Sequence, residues 1–352
     1  MPIAQISPGA LQNMRNGGVY VPATLMIDGN LRFLEGWQTL QTIYWLESGA
    51  STVIPGAHTG QFALGDIQLY KQWLDLTRKV MEESSQKDRL FYMAAVSGEN
   101  AMNMAKAAAE KGYDLVMVAP SAFKSKSEED SIAYLRQMAE IIPIFGFYLQ
   151  EKVGGREFSE KFWNRLYEFA VGAKIAPFDR QRTDVAMNAA ANSDRHKELV
   201  MATGNDDNIV DDFLTTWHGK DDQRMRFDAG LLGHFAVDTH AAVKLVEFLK
   251  RERANGQIVT SNPTLQALAE DVTKMNYALF DTRNNFANSV YGVEFRQSML
   301  GLAPQNRHVK GESGSSRLEQ EIEEAYRQRV HLTDDAFVKD KLQQWKRMAG
   351  VE

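Results

Sequence analysis

The stretch that decides the fold is an apolar run of seven residues, AVGAKIA at 170–176, which ends at the turn sequence PFD at 177–179. The run is typical of a buried strand, yet it contains Lys174. Burial of an unpaired ammonium is costly, and a lowered pKa that leaves the amine neutral avoids that cost. A neutral amine is the nucleophile that Schiff-base chemistry requires. A lysine that reaches water or pairs with a carboxylate is the ordinary alternative.

Seven further apolar or β-branched runs occur along the chain, each followed by a stretch with helical periodicity. They lie at 18–24, 51–55, 90–95, 115–119, 144–148, 199–203 and 231–237. Eight strand–helix units predict an α/β fold, a (β/α)8 barrel of the TIM type, because parallel strands need crossover helices. An open doubly wound sheet is the alternative, but no Gly-x-Gly-x-x-Gly follows the first strand.

The pattern changes after Gly256, where the strand signals end and helical periodicity continues. Four helices are predicted, at 265–280, 286–300, 317–330 and 334–348. We therefore predict a barrel over 1–256 and a C-terminal helical region over 257–352. The third of these helices carries an apolar stripe of Leu318, Ile322 and Ala325, which we interpret as a docking or oligomer surface.

Composition limits the possible classes of function. The net charge of −6 argues against a nucleic-acid partner, because domains that bind the phosphate backbone are usually basic. The absence of cysteine excludes disulfides and thiolate chemistry. No stretch approaches the roughly 18 apolar residues of a membrane span, and the first residues do not resemble a secretion signal. We expect a soluble, cytoplasmic protein with no membrane partner.

The residues that follow the strands are the candidates for chemistry, because active sites of such barrels lie at the C-terminal ends of the strands. The second run ends in PGAHTGQ at 55–61, a turn whose hydroxyl and backbone N–H groups suit a carboxylate. Tyr148 ends the fifth run and Lys174 lies on the sixth, so both side chains are expected to face one centre. The seventh run ends in TGNDD at 203–207.

These motifs resemble the family of dihydrodipicolinate synthase and N-acetylneuraminate lyase, class I lyases acting on pyruvate and related 2-keto acids. Lys174 is similar to the Schiff-base lysine of the family, Tyr148 to its proton-relaying tyrosine, and Thr59 to the second hydroxyl residue of its Gly-Thr/Ser-Thr-Gly-Glu loop. The resemblance implies a Schiff-base aldolase or hydro-lyase. It also implies a small 2-keto acid as substrate, no metal or cofactor, and a homo-tetramer or dimer.

Five residues are assigned to substrate binding. His58 and Gly56 belong to the loop after the second run, and Asp206 to the acidic turn after the seventh. Lys152 and Arg156 follow the tyrosine, in a position suited to read the distal end of a substrate.

The sequence departs from the family at several of these positions. His58 stands where the family has its first hydroxyl residue, and Gln61 replaces its glutamate. The usual proline after the tyrosine is missing, so Phe147 is an alternative occupant of the position assigned to Tyr148. Ser121 and Ala122 stand where the synthases have a tyrosine pair, which argues against a synthase of the lysine pathway.

Two alternative functions remain open at this point. His234, Asp238 and His240 lie close together in sequence, and a metal-dependent aldolase needs two or three such ligands on one centre. The loss of several polar residues from the family's motifs also fits a member that binds a 2-keto acid without catalysis.

Overall fold

Eight parallel strands form the centre of the molecule in the computed structural model, which describes residues 2–61 and 64–351. These strands are β1 Gly18–Pro22, β2 Thr52–Ile54, β3 Met93–Val96, β4 Leu115–Val118, β5 Ile144–Leu149, β6 Gly172–Ala176, β7 Val200–Thr203 and β10 Ala229–Gly230. Their order is β2-β1-β10-β7-β6-β5-β4-β3. The Ala95 N–H donates to the Pro55 carbonyl at 2.8 Å, which links the two ends of the sheet. The predicted barrel is confirmed and is nearly closed. A separate antiparallel pair is formed by β8 Trp217–His218 and β9 Arg224–Met225.

Thirteen helices are present in the described part of the chain. They are α1 Pro8–Arg15, α2 Glu35–Glu47, α3 Ile67–Glu83, α4 Ala101–Glu110, α5 Glu128–Ala139, α6 Glu160–Tyr167, α7 Arg180–Ala191, α8 Ile209–Leu214, α9 Thr239–Ala254, α10 Pro263–Leu279, α11 Ser289–Met299, α12 Ser316–Gln328 and α13 Asp335–Ala349. Helix α1 precedes the first strand and was not predicted. Its Met14 is buried with side chains from the barrel interior, and the Tyr20 hydroxyl donates to the Met14 carbonyl at 2.6 Å.

The eighth strand was predicted at the wrong position. Strand β10 comprises only Ala229 and Gly230, although the Leu231 N–H still donates to the Thr203 carbonyl at 2.8 Å. The apolar run beyond it turns into a 3-10 helix at Gly233–Ala236. The run is buried throughout, and apolarity alone does not distinguish a strand from a short helix.

The four predicted C-terminal helices are confirmed as α10 to α13, and they share a core with the barrel. One cluster of buried side chains contains Val19 and Val53 from the strands together with Leu265, Val293 and Trp345 from the C-terminal region. The apolar stripe of α12 faces this same core, where Leu318 and Ile322 are fully buried. The stripe therefore docks α12 on the core of its own chain, and these side chains are not exposed for an oligomer contact.

A buried ion pair joins the C-terminal helices to the barrel. The Arg296 guanidinium in α11 lies 2.8 Å from an Asp238 oxygen and 2.6 Å from an Asp335 oxygen. Arg296 and Asp238 are at most 1% exposed. The guanidinium carbon also lies 4.2 Å from the centre of the Tyr326 ring. The pair fixes α11 against the start of α9.

We predict that Arg296→Ala lowers the free energy of unfolding by about 3–5 kcal/mol, because it leaves the Asp238 carboxylate buried without its partner. Urea unfolding followed by circular dichroism measures the loss. Arg165→Ala is the matched control, since Arg165 pairs with Glu129 at 3.2 Å on the surface and such pairs contribute about 1 kcal/mol or less. Equal losses in the two variants would contradict the structural role of Arg296.

Candidate functional site

Lys174 lies on β6, and its side chain points into the barrel. The neighbouring residues of the strand, Ala173 and Ile175, pack in the outer layer between the sheet and the helices, so Lys174 occupies the opposite face. A Cβ at position 204 would lie 2.3 Å from Lys174 Cε, so the absence of a side chain at Gly204 makes room for the lysine. Lys174 Nζ lies 4.5 Å from the centre of the Phe147 ring.

The amine borders a small cavity of about 60 Å³ at the C-terminal ends of the strands. The side chains around it are mostly apolar, with a few polar groups among them; His58, Thr59, Phe147, Gln150, Lys174, Phe178, Asp206, Phe280, Phe286 and Ser289 contribute to the lining. Lys174, Thr59, His58 and Asp206 thus line one cavity, although they lie on or after three different strands.

Burial shifts the pKa of each ionisable side chain in the cavity. It lowers the pKa of Lys174 to about 8, and the nearby charge of Asp206 opposes this shift. Burial raises the pKa of Asp206 to about 7. Burial, together with the positive charge of Lys174, lowers the pKa of His58 to about 4. At neutral pH the imidazole is therefore neutral, and a larger share of Lys174 is the free amine than in an ordinary lysine.

The loop after β2 closes the cavity on the side opposite β6. Thr59 donates from its hydroxyl to the Pro22 carbonyl at 2.6 Å, which fixes the loop against β1. Gly56 does not line the cavity, contrary to its assignment to substrate binding. Gly56 has a φ of +83°, and a Cβ at this position would lie 2.5 Å from the Ala95 carbonyl oxygen. The turn therefore requires a glycine here.

The structure contradicts the expectation that Tyr148 faces the same centre as Lys174. In the register of β5 and β6, Phe147 pairs with Lys174, whereas Tyr148 pairs with Ile175 on the outer face. The Tyr148 ring packs under α6, with ring centres 5.2 Å from Trp163 and 5.6 Å from Phe158. Burial there raises the pKa of Tyr148 to about 12. Phe147 occupies the inward position, and Tyr148 lies outside the cavity.

The residues proposed to read the distal end of a substrate separate in the structure. The Arg156 guanidinium donates to the Lys126 carbonyl at 2.7 Å and lies over the Phe158 ring, away from the cavity. Lys152 lines a larger cleft of about 360 Å³ that adjoins the cavity. Asp206 lines both spaces, and its carboxylate accepts the His234 N–H at 3.2 Å.

Several lining residues were missed by sequence analysis. Phe280, Phe286 and Ser289 come from the C-terminal region, which the sequence presents as a separate unit. Phe178 lies in the PFD turn at 177–179, and the sequence analysis assigned it no role in the site. These residues are recognised as lining residues only from their position around Lys174 in the folded chain, because no local sequence pattern indicates that position.

The three residues of the metal alternative are engaged in separate contacts. Asp238 binds Arg296, and the His240 ring stacks on Phe337 with ring centres 4.0 Å apart. His234 is buried near Asn276. Within residues 2–61 and 64–351, no group of three or more His, Cys, Asp or Glu side chains is arranged to hold a metal ion.

Comparison with solved structures relates this fold to known proteins. YagE, a prophage protein of the dihydrodipicolinic acid synthase family from E. coli K12 in complex with pyruvate, matches with a TM-score of 0.72 at 12% identity, over 89% of this chain and 98% of that one. Dihydrodipicolinate synthase from Acinetobacter baumannii complexed with pyruvate matches with a TM-score of 0.70 at 14% identity, over 88% of this chain and 98% of that one. CdNal from Clostridium difficile in complex with mannosamine matches with a TM-score of 0.65 at 14% identity, over 89% of this chain and 98% of that one.

These structures match this chain over almost nine-tenths of its length, so the resemblance seen in the sequence is confirmed at the level of the fold. No protein-family model and no curated protein matches the sequence. None of the described helices is long and apolar enough to cross a membrane.

We predict that the reactivity of Lys174 levels off above about pH 8, whereas an ordinary lysine gains reactivity up to a pKa near 10.4. Competitive acetylation, with mass spectrometry of the Lys174 peptide, measures this titration. Asp206→Asn should lower the pKa of Lys174 further, because it removes the charge that favours the ammonium. Asp75→Asn is the control and should leave the titration unchanged, because Asp75 pairs with Lys111 at 2.7 Å on the surface and does not line the cavity. A Lys174 pKa near 10.4 in the wild type would contradict the account.

Proposed function

We propose that this protein is a Schiff-base lyase, an aldolase or hydro-lyase acting on pyruvate or a related 2-keto acid. The observation that carries the proposal is the position of Lys174, a buried lysine with a pKa lowered to about 8 at the end of a barrel strand. The similarity in fold to structures solved with pyruvate supports the choice of a 2-keto acid. We propose membership in the dihydrodipicolinate synthase family on the same grounds.

In the proposed reaction the Lys174 amine attacks the keto carbon and forms a carbinolamine. Loss of water then gives an iminium, whose positive nitrogen draws electrons from the adjacent C–C or C–H bond. The lysine itself supplies the electron sink. The backbone amides of His58 and Thr59, across the cavity from β6, are proposed to hold the substrate carboxylate.

The proton transfers need a group other than Tyr148, since that side chain lies on the outer face of β5. Besides Lys174, the ionisable side chains that line the cavity are Asp206 and His58. We propose that Asp206 carries protons to and from the carbinolamine, because a pKa of about 7 suits both directions of transfer near neutral pH. The neutral imidazole of His58 is a second acceptor, and Thr59 contributes a hydroxyl to the cavity.

A non-catalytic 2-keto-acid-binding protein is the second candidate. The observation that favours it is the Phe147 ring beside Lys174, at the position where the resemblance implies a tyrosine. Such a protein would form the imine with a 2-keto acid but would not release a new product. Mass spectrometry of mixtures of pyruvate and aldehydes separates the two candidates.

The assembly is proposed to be a homo-tetramer or dimer, since symmetric homo-oligomers are common among soluble enzymes. One structure with the same fold is described as a monomeric dihydrodipicolinate synthase variant. Light scattering that gives a mass of one chain at micromolar concentration would contradict the proposed assembly.

We predict that borohydride added with pyruvate inactivates the protein and adds about 72 Da to the peptide that contains Lys174, the mass of a reduced pyruvate imine. Lys174→Ala should abolish the adduct. Addition of a chelator should change nothing. Failure of pyruvate and other 2-keto acids to give the adduct would refute the proposed function.

Asp206→Asn should slow imine formation by about 10²- to 10⁴-fold, the range for loss of a proton-transfer group. The rate is compared near pH 9, where Lys174 is mostly neutral in both proteins, so that a change in its pKa does not affect the result. Tyr148→Phe is the control, and it should keep nearly the wild-type rate because the hydroxyl lies outside the cavity. The reverse order of effects would assign the relay to Tyr148.

A further inference from the structure

Three phenylalanine rings separate the cavity around Lys174 from the larger cleft outside it. Phe178, Phe280 and Phe286 each line both spaces. We call them the aromatic collar. The rings of Phe178 and Phe286 meet edge to face, with centres 5.7 Å apart. Gln150 and Asp206 also line both spaces. A substrate group that extends outward from the reacting carbon therefore passes a boundary made mainly of aromatic surface, with these two polar side chains beside it.

Two members of the collar have an unusual backbone conformation. Phe178 has a φ of +54° and Phe286 a φ of +65°, in the left-handed region that bulky residues rarely adopt. Such strain persists only where the surrounding structure enforces it, and it is concentrated at functional sites. Here it places two rings at the entrance of the cavity.

Buried hydrogen bonds enforce the conformation of Phe178. Its N–H donates to the Asn205 side-chain oxygen at 3.0 Å. The Asn205 amide nitrogen donates in turn to Asp212 at 2.9 Å and to the Thr183 hydroxyl at 3.2 Å. Asp212 also accepts from the Thr203 hydroxyl at 2.5 Å. A network of four buried polar side chains thus holds the turn in which Phe178 is half-buried.

Size and charge limit what the collar accepts. The inner cavity of about 60 Å³ is smaller than an engineered cavity of roughly 150 Å³ that binds benzene, whereas the outer cleft of about 360 Å³ exceeds that volume. Lys174 provides the only cationic side chain among the described residues that line the inner cavity, apart from the titratable His58. In the cleft, Arg182 is already paired with Glu157 at 2.9 Å. Lys152 is the other cationic side chain among the described residues that line the cleft, and its ammonium lies 6.0 Å from the centre of the Phe286 ring. A phosphate-bearing substrate would therefore have a single lysine to bind, whereas an aromatic group has three phenylalanine rings.

We infer that the second substrate of this site is an aldehyde that carries an aromatic ring, held by the aromatic collar; the inference rests on the proposed Schiff-base function. The enamine carbon of the bound keto acid attacks the aldehyde carbon, and the aldehyde oxygen takes up a proton. Water then hydrolyses the iminium, which releases a 4-hydroxy-2-keto acid with the ring on its fourth carbon and restores the lysine amine. Cleavage is the reverse of these steps.

The test compares two aldehydes in the presence of pyruvate. The wild-type protein should show a higher kcat/KM for benzaldehyde than for glyceraldehyde, which is small and hydroxylated. Phe178→Gly and Phe286→Gly should each reduce this preference by about tenfold, the lower range for loss of an apolar contact. Glycine suits both positive φ values, so these changes remove the ring without straining the turn.

Leu31→Gly is the matched control, because Leu31 also has a positive φ, of 59°, but is exposed and lies outside both spaces. It should retain the wild-type preference. Trapping of pyruvate on Lys174 is measured in parallel with borohydride. If pyruvate is trapped but glyceraldehyde is preferred, or no aldehyde reacts, the inference is wrong and the imine chemistry stands. If pyruvate is not trapped, the proposed function fails and the inference fails with it.

Discussion

The desolvation of one amine is the constraint on which the rest of the site depends. Side chains alternate between the two faces of β6, and this alternation directs the Lys174 side chain into the barrel. There it lies against the Phe147 ring and beside the backbone of Gly204, which has no side chain. The same low-polarity surroundings lower the pKa of the lysine and raise that of Asp206, so the two values approach each other. A buried acid and a buried amine with similar pKa values can exchange a proton at little cost, as imine chemistry requires.

The C-terminal helices belong to the site as well as to the core. Phe280, Phe286 and Ser289 complete the lining of the cavity, and the buried pair of Arg296 with Asp238 fixes α11 against α9. A barrel without this region would leave the Lys174 amine more exposed to water, and the shift in its pKa would shrink. The ion pair in the core therefore supports the lining of the cavity at a distance.

The sequence was informative where a feature is local and periodic. Lys174 in an apolar run and the eight strand–helix units follow from the residues and their spacing, whereas the assignment of Thr59 rested on the resemblance to a known family. Tyr148 was misplaced because side chains alternate along a strand, so an error of one residue in alignment moves a side chain to the opposite face. Phe286 was missed for a different reason, since only the folded chain brings it to Lys174.

A crystal structure of the protein soaked with pyruvate and reduced with borohydride tests the central claim most directly. We expect continuous electron density from Lys174 Nζ to the central carbon of pyruvate, with the carboxylate at the loop of Thr59. Density for pyruvate that is separate from Lys174, or joined to another lysine, would contradict it.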